Sequence, residues 1–329
     1  MSRAAAHPNI ALAKYWGKRD YGHNLPAVPS LSVTLAGMAT PTTVDLDESL
    51  EADVFELDGA PAEGRPRERV SDMLDRIPRR AGRQSPRPRA RVVSANDFPT
   101  AAGLASSASA FAALAVAGNA ALDAGLDASV LSHLAREVSA SSGRSLFGGY
   151  VVLPAGQPGD EMLAAEPLAG PEHWDLRLLV AVTTEGKKAV GSTSGMIRTA
   201  ETSPLYRGWG EGAPPLFEQI KGAVPARDLS ALGPAVEQSA LAMHATAIAA
   251  APGLLYWNGV TLEVMHAVRR LREDGLEAYF TIDAGPHVKV VCRAADASAI
   301  AEALGGVPGV RRLIHAEPGE GARLVEATG

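Results

Sequence analysis

DFPTAAGLASSASA, residues 97–110, opens with an acid, an aromatic and a proline and continues in almost nothing but Gly, Ala, Ser and Thr. Burial rewards large apolar side chains, so packing alone rarely asks for so many small residues together. The strand-like RVVSAND, 91–97, leads into Pro99, and helical periodicity follows from about Leu104 to Leu122. A strand that turns into a helix in this way leaves the first N–H groups of the helix without internal partners, and the helix dipole adds partial positive charge there. Such an end binds phosphate: Gly103 carries no side chain to hold an anion off, and the serines that follow add hydroxyl donors. The stretch is not a G-x-x-x-x-G-K-[ST] loop, whose lysine it lacks, nor a G-x-G-x-x-G loop. A helix whose small residues let a sheet approach is the competing account, and the residues alone leave the two balanced.

The rest of the chain bounds what the stretch can serve. With 329 residues and 46% hydrophobic content, a sizeable core and about two domains are expected. A formal charge of -6 opposes any general attraction to nucleic acid or to an anionic membrane, so neither is expected as a partner. No apolar run is long enough to cross a bilayer, and MSRAAAHPNI has no apolar core of the secretory kind, so a cytoplasmic protein is expected. The single cysteine, Cys292, lies in the apolar run VKVVC, can form no internal disulfide, and reads as a core filler in a reducing compartment.

Short runs rich in Val, Ile, Leu and aromatics predict strands in NIALAKYW, SLSVTLAG, TTVDLD, DVFELDG, RARVVSAND, GGYVVLPAG, LRLLVAVTT, AYFTID and VKVVCR. Several are separated only by turns, which points to antiparallel pairing and an α+β fold. Further helices are predicted over Ser129 to Ser139, with Asp127 or Ser129 as cap, over Ala235 to Ala250, and over Val260 to Arg272. In the last of these Val264, Val268 and Leu271 share one face. The arginine-rich segment 64–91 reads as an exposed helix around Val70 to Ile77 followed by a solvated loop, in preference to a polyanion site; covering a bound nucleotide is a weaker alternative. The turn GQPGDE, 156–161, lies near the middle of the chain, and two halves, 1–175 and 176–329, are expected.

PTAAGLASSA, 99–108, resembles the phosphate loop of the GHMP kinase superfamily, P-x-x-x-G-L-x-S-S-A. That resemblance implies an ATP site around Gly103, Leu104, Ala105, Ser106, Ser107 and Ala108. NIALAKYWGKRD with LPAVPSLSVTL, FPTAAGLASSASAFAALA, SASSGRSLFGGYV, KKAVGSTSGM with TAETSPL, MHA at 243–245 and AYFTIDAGPHVKV together resemble the diphosphomevalonate decarboxylase family. The resemblance spans nearly the whole chain in order. It implies the two-lobed GHMP kinase fold, with an N-terminal lobe like domain 2 of ribosomal protein S5 and a ferredoxin-like C-terminal lobe. It also implies ATP-dependent decarboxylation of diphosphomevalonate to isopentenyl diphosphate, with ATP and Mg2+, and a homodimer.

A site for that reaction needs cations for a diphosphate and a carboxylate, a base at a hydroxyl, and a cradle for ATP. Asp283 ends an apolar strand before Ala-Gly-Pro and is the candidate base, although Asp before such a turn commonly only starts it. The resemblance assigns Arg144, whose planar fork suits a carboxylate, to the substrate carboxylate. It assigns Tyr15 and Lys18 to the diphosphate, with Ser139 and Ser141, and Ser192 to the phosphate chains of substrate and nucleotide. Lys14 lies in the same block; Lys18 is also counted among the catalytic residues, since a cation near Asp283 would keep that carboxylate ionised. No compact acidic box offers itself, so no protein ligand is named for Mg2+. Ala140, Gly143 and His287 stand where the family usually has Gly, Cys and Asn; His7, His244 and His287 are read as packed or solvent-facing residues, not ligands. The alternatives are a phosphomevalonate decarboxylase, a mevalonate 3-kinase, another small-molecule kinase of the superfamily, and a nucleic-acid-binding module, which the acidic total opposes.

Overall fold

The computed structural model describes residues 1–20, 23–98, 106–186 and 189–326. Among them are three larger sheets. The first runs Arg323–Leu324, Ser2–Ala6, Thr40–Asp47, Arg89–Ser94, Val54–Leu57 and Ala60–Pro61. The second runs Glu166–Ala169, Tyr150–Leu153, Ser30–Thr34 and Asn9–Ala13; the third runs Ala278–Ile282, Val288–Arg293, Leu176–Val182 and Arg312–Ala316. Val54–Leu57 pairs in parallel with Arg89–Ser94, and the ladders of the second and third sheets are antiparallel. The fold is α+β, as the strand spacing predicts.

The helix Ser106–Ala121 lies on the first sheet, and its alanines explain how. Ala112, Ala113, Ala115 and Ala117 are fully buried in one cluster with Val44, Val92 and Leu134. A Cβ on Gly118 would stand 2.7 Å from Leu74 and 2.9 Å from Ile77. The small residues therefore serve close packing along the body of the helix. Packing accounts for the body of the helix; residues 99–105, on which the anion reading falls, lie outside the described residues.

The helix Arg65–Arg80 corrects the expectation of an exposed helix. Val70, Met73, Leu74 and Ile77 are all buried against Ser106–Ala121, while Arg79 and Arg80 face solvent. The loop after it is largely exposed as expected, with one exception. Arg87 is buried and donates to both oxygens of Asp53, at 2.8 and 2.6 Å, and its Nε lies 2.8 Å from Asp75. Burial alone would raise the Asp53 carboxyl, but bonds from Arg87, Ser71 and the Ala90 N–H overcome it and hold it at about 2. Replacing Arg87 by Met strands a buried carboxylate and is expected to cost about 3–5 kcal/mol of stability at pH 7 in urea unfolding. Because the folded value lies below the ordinary one, this contribution is present above the carboxylate range and disappears as pH falls through about 2.

Proline hid one element from the sequence reading. Tyr206–Ala226 is a helix that contains Pro214, Pro215 and Pro225 and buries Trp209, Phe217, Ile220 and Val224. Prolines normally break helices, but an apolar stripe packed on the second sheet and on the helix Leu229–Ile248 outweighs the lost bonds here. Leu229–Ile248 likewise begins before the predicted start, capped by Asp228 and carrying Pro234. Asp127 caps Ala128–Val138, accepting from the Val130 N–H at 2.9 Å. Among the described residues no helix is long and apolar enough to cross a membrane, and Cys292 is fully buried, with burial raising its thiol to about 12.

Candidate active site

Asp283 follows the fully buried strand Ala278–Ile282 and begins the turn into Val288–Arg293. Lys14 leaves the end of Asn9–Ala13, on a different sheet, and its Nζ donates to Asp283 Oδ1 at 2.6 Å and to the Ala11 carbonyl at 2.9 Å. Lys289 Nζ lies 3.1 Å from Asp283 Oδ2. Both lysine side chains are buried, whereas the Asp283 carboxylate keeps 25% of its surface exposed. Burial opposes a charged carboxylate, but the two ammonium groups outweigh it and hold Asp283 ionised, well below the usual range. Burial in turn pushes Lys14 down to about 8, against the pull of Asp283.

The cation beside the base is Lys14, whereas the sequence reading counts Lys18 as the catalytic lysine; Lys18 lines the same cavity. Lys289 was missed. It sits in VKVVCR, which reads simply as an apolar strand, and pairs across the ladder with Thr281. A lysine inside a run of valines on a strand flanked on both sides by others cannot reach water, so it needs a buried anion. That was the available signal.

The resulting pH dependence has opposite signs for activity and stability. kcat/KM is expected to fall above about pH 8 as Lys14 loses its proton and Asp283 its partner. Between that value and the ordinary lysine range the unfolded chain binds more protons than the folded one, so this group's contribution to stability rises there. Activity lost at pH 9 should return at pH 7, with an unchanged circular dichroism spectrum at both.

Arg144 projects from the 3-10 turn Ala140–Leu146 and is 3% exposed. Its guanidinium donates to Ser30 Oγ at 2.8 Å, to Ser32 Oγ at 2.9 Å and twice to Asn9 Oδ1 at 3.3 Å. Asn9 in turn donates to Ser145 Oγ at 2.8 Å and to the Ser141 carbonyl at 3.0 Å. Among the described residues every hydrogen bond of the guanidinium goes to a neutral oxygen, and burial lowers Arg144 to about 10 despite the opposing charge of Asp283. A buried cation held without its own carboxylate is poised to accept one from outside. Asn9, Ser30 and Ser32 were also missed, because small polar residues in strands carry no sign of what they face.

One cavity of about 850 Å³ brings these groups together. Asp283, Arg144 and Lys18 line it, as do Tyr15, Ser139, Ser141 and Ser192, the last at the first turn of the helix Ser192–Thr202. Lys18 bonds to the Asn24 side-chain carbonyl and is pushed down to about 8 by burial and by Arg69 and Arg65. Ser107 lines the same cavity, and its carbonyl accepts from Ser142 Oγ at 3.0 Å. Ser106 lines a neighbouring cavity, whereas Ala108 is fully buried and faces neither. Gly103, Leu104 and Ala105 lie outside the described residues.

The neighbouring cavity, about 310 Å³, has apolar walls from Phe55, Val70, Val92 and Phe111. It meets the larger one at Arg65, Arg69 and Ser107, which line both. Arg69 spans the junction with its guanidinium 4.4 Å from the Phe111 ring centroid and a bond to the Val138 carbonyl at 2.9 Å. This corrects the solvated reading of the arginine-rich segment at Arg69, while Arg65 stays exposed at the cavity edge. The shape suits a flat group with apolar faces beside the first turn of Ser106–Ala121, with attached anionic groups extending past Arg65 and Arg69.

The histidines are packed residues. His244 is fully buried with Nε2 donating to the Ile282 carbonyl at 3.2 Å, and burial lowers it to about 3. His287 Nδ1 accepts from the Thr183 N–H at 3.2 Å, and burial lowers it to about 4, so both rings are neutral. His7 Nδ1 donates to the Met38 carbonyl at 2.6 Å. Among the described residues no group of three or more His, Cys, Asp or Glu could hold a metal ion, and Asp283 is the one carboxylate lining the larger cavity.

Comparison with known proteins bears on the family and the fold. Residues 6–164 match the model of the diphosphomevalonate decarboxylase-like N-terminal domain, and residues 178–321 that of the mevalonate 5-diphosphate decarboxylase C-terminal domain. The diphosphomevalonate decarboxylase of Candida albicans is 35% identical over 325 residues, covering 94% of this chain and 90% of that protein. The crystal structure of mevalonate diphosphate decarboxylase from Staphylococcus aureus superimposes with a TM-score of 0.92 at 38% identity, covering 99% of this chain and 98% of that one. A structure of MDDEF in complex with MVAPP, AMPPCP and magnesium gives a TM-score of 0.90 at 40% identity, covering 99% of each chain. With both halves matched and similarity running the length of the fold, the chain belongs to the diphosphomevalonate decarboxylase family.

Proposed function

We propose that this chain converts (R)-5-diphosphomevalonate and ATP to isopentenyl diphosphate, ADP, phosphate and carbon dioxide. The carrying observation is that an ionised carboxylate, Asp283, and a buried guanidinium bonded only to neutral oxygens among the described residues, Arg144, line one cavity. A carboxylate with so low a proton affinity accepts a hydrogen bond from the tertiary hydroxyl first. It takes the proton only as the oxygen–phosphorus bond forms, which suits the loose transition state of phosphoryl transfer. When bound, ATP supplies the phosphoryl group that makes this oxygen a leaving group. Arg144 holds the substrate carboxylate while the carbon–carbon bond breaks, its electron pair forms the alkene, and phosphate departs.

Lys18, Tyr15, Ser139 and Ser141 hold the diphosphate, and Ser192 lies between the phosphate chains. The apolar cavity takes the base of ATP, with Ser106 and Ser107 at the phosphates. By resemblance Gly103, Leu104 and Ala105 belong to the same site, whereas Ala108 is buried and faces neither cavity. Magnesium suits this donor set when most of its ligands are phosphate oxygens and water, since both oxygens of Asp283 already face lysines. The N-terminal lobe is 1–175 and the C-terminal lobe 176–329, and the protein works as a cytoplasmic homodimer.

Pure protein incubated with ATP, magnesium and each of mevalonate, its 5-phosphate and its 5-diphosphate should yield equal amounts of ADP and carbon dioxide with the diphosphate. ADP without carbon dioxide would make it a kinase, and turnover of the monophosphate alone would reassign the substrate.

A further inference from the structure

The hairpin Lys18–Asp20 and Leu25–Pro26 carries Lys18 at the cavity wall. A two-strand hairpin of this length cannot hold a lysine in place by itself. Asn24 supplies a fixture. Its side-chain carbonyl accepts from Lys18 Nζ, and its amide donates to the Glu137 carbonyl. Glu137 stands at the end of the helix Ala128–Val138, two positions before Ser139. We propose that Asn24 is a positioning residue for the diphosphate, clamping Lys18 of the hairpin to the helix end that delivers Ser139 and Ser141.

Three further observations support the clamp. Asn24 has φ +52°, a conformation that Asn tolerates and most side chains do not, so the backbone is shaped around this amide. The helix end it grips is itself fixed: the Glu137 carboxylate receives Arg76 at 2.6 Å, with His23 at 3.6 Å and His133 at 3.9 Å. Arg136 closes the arrangement from the same helix, bonding the His23 carbonyl and, at 2.9 Å, the Leu163 carbonyl. Arg65 and Arg69 line the same cavity and repel Lys18, and the bond to the Asn24 carbonyl opposes that repulsion. The sequence distance explains why the link is not apparent beforehand: Asn24 and Glu137 are 113 residues apart.

The proposal rests on Lys18 contacting the diphosphate, and a double-mutant cycle separates the two. Asn24→Gly removes the amide while keeping a residue comfortable at positive φ. It should raise KM for the diphosphate substrate roughly 10-fold and leave KM for ATP and kcat within about twofold. Lys18→Met should raise the same KM by at least as much. If Asn24 acts through Lys18, adding Asn24→Gly to Lys18→Met has no further effect; multiplied effects would overturn the clamp and leave the role of Lys18 standing. An unchanged KM in Lys18→Met would overturn both. Equal losses in both KM values and in kcat for Asn24→Gly would show a merely structural role, and unchanged ATP binding by calorimetry certifies that each variant is folded.

Discussion

Asp283→Asn is expected to bind ATP and the diphosphate substrate and to lose turnover by about three to four powers of ten. The magnitude follows from what the carboxylate does in two places at once. It is the one acid facing the larger cavity among the described residues, so no neighbour can take the hydroxyl proton in its stead. It is also the counter-ion of two buried ammonium groups, at 2.6 and 3.1 Å. Asparagine keeps the shape but removes the charge, so Lys14, already lowered by burial and by Lys289, should lose its proton more readily still. The alkaline limb of any residual activity should therefore move to lower pH. Turnover within about tenfold of the parent enzyme, about a hundredth of the smallest loss expected, would remove Asp283 as the base.

Arg144→Gln should lower kcat/KM about 100-fold, because a charge-assisted fork to the substrate carboxylate is lost while the rest of the cavity is kept. The replacement also leaves Ser30, Ser32 and the Asn9 side-chain carbonyl without their donor, so part of the loss is positional. Arg144→Lys is not expected to recover it, since a single ammonium cannot reach the three neutral acceptors and an external carboxylate together. ADP and carbon dioxide measured in parallel are the informative readout. If Arg144 holds the carboxylate through bond cleavage, carbon dioxide should fall at least as far as ADP; unchanged rate and affinity would discount that role.

Much of the fold was legible because its periods are local. Each of the nine runs predicted as strands contains one, since alternating or continuous β-branched residues bounded by Gly and Pro have few other ways to be buried. The first run extends too far: the strand stops at Ala13, and Tyr15 and Trp16 belong to the loop behind it. The helix Tyr206–Ala226 was illegible for the converse reason, as three prolines mask a stripe that tertiary packing then stabilises. The candidate site was legible where ordered blocks of residues resemble the family, as for Asp283, Arg144 and Ser192. Where charge and burial had to be known together, as for Lys289 and Arg69, it was not.

By itself the chain's order of residues determined the succession of strands and helices, the small-residue helix after residue 105, and the family to which these blocks belong. The tertiary structure alone decided which charges meet. Lys14 and Asp283 are 269 residues apart and Arg144 and Asn9 are 135 apart, and no local periodicity encodes a contact at such separation. Whether a lysine is solvated or locked against a carboxylate depends on which sheets pack together, and that is settled only when the apolar faces of both halves have been buried.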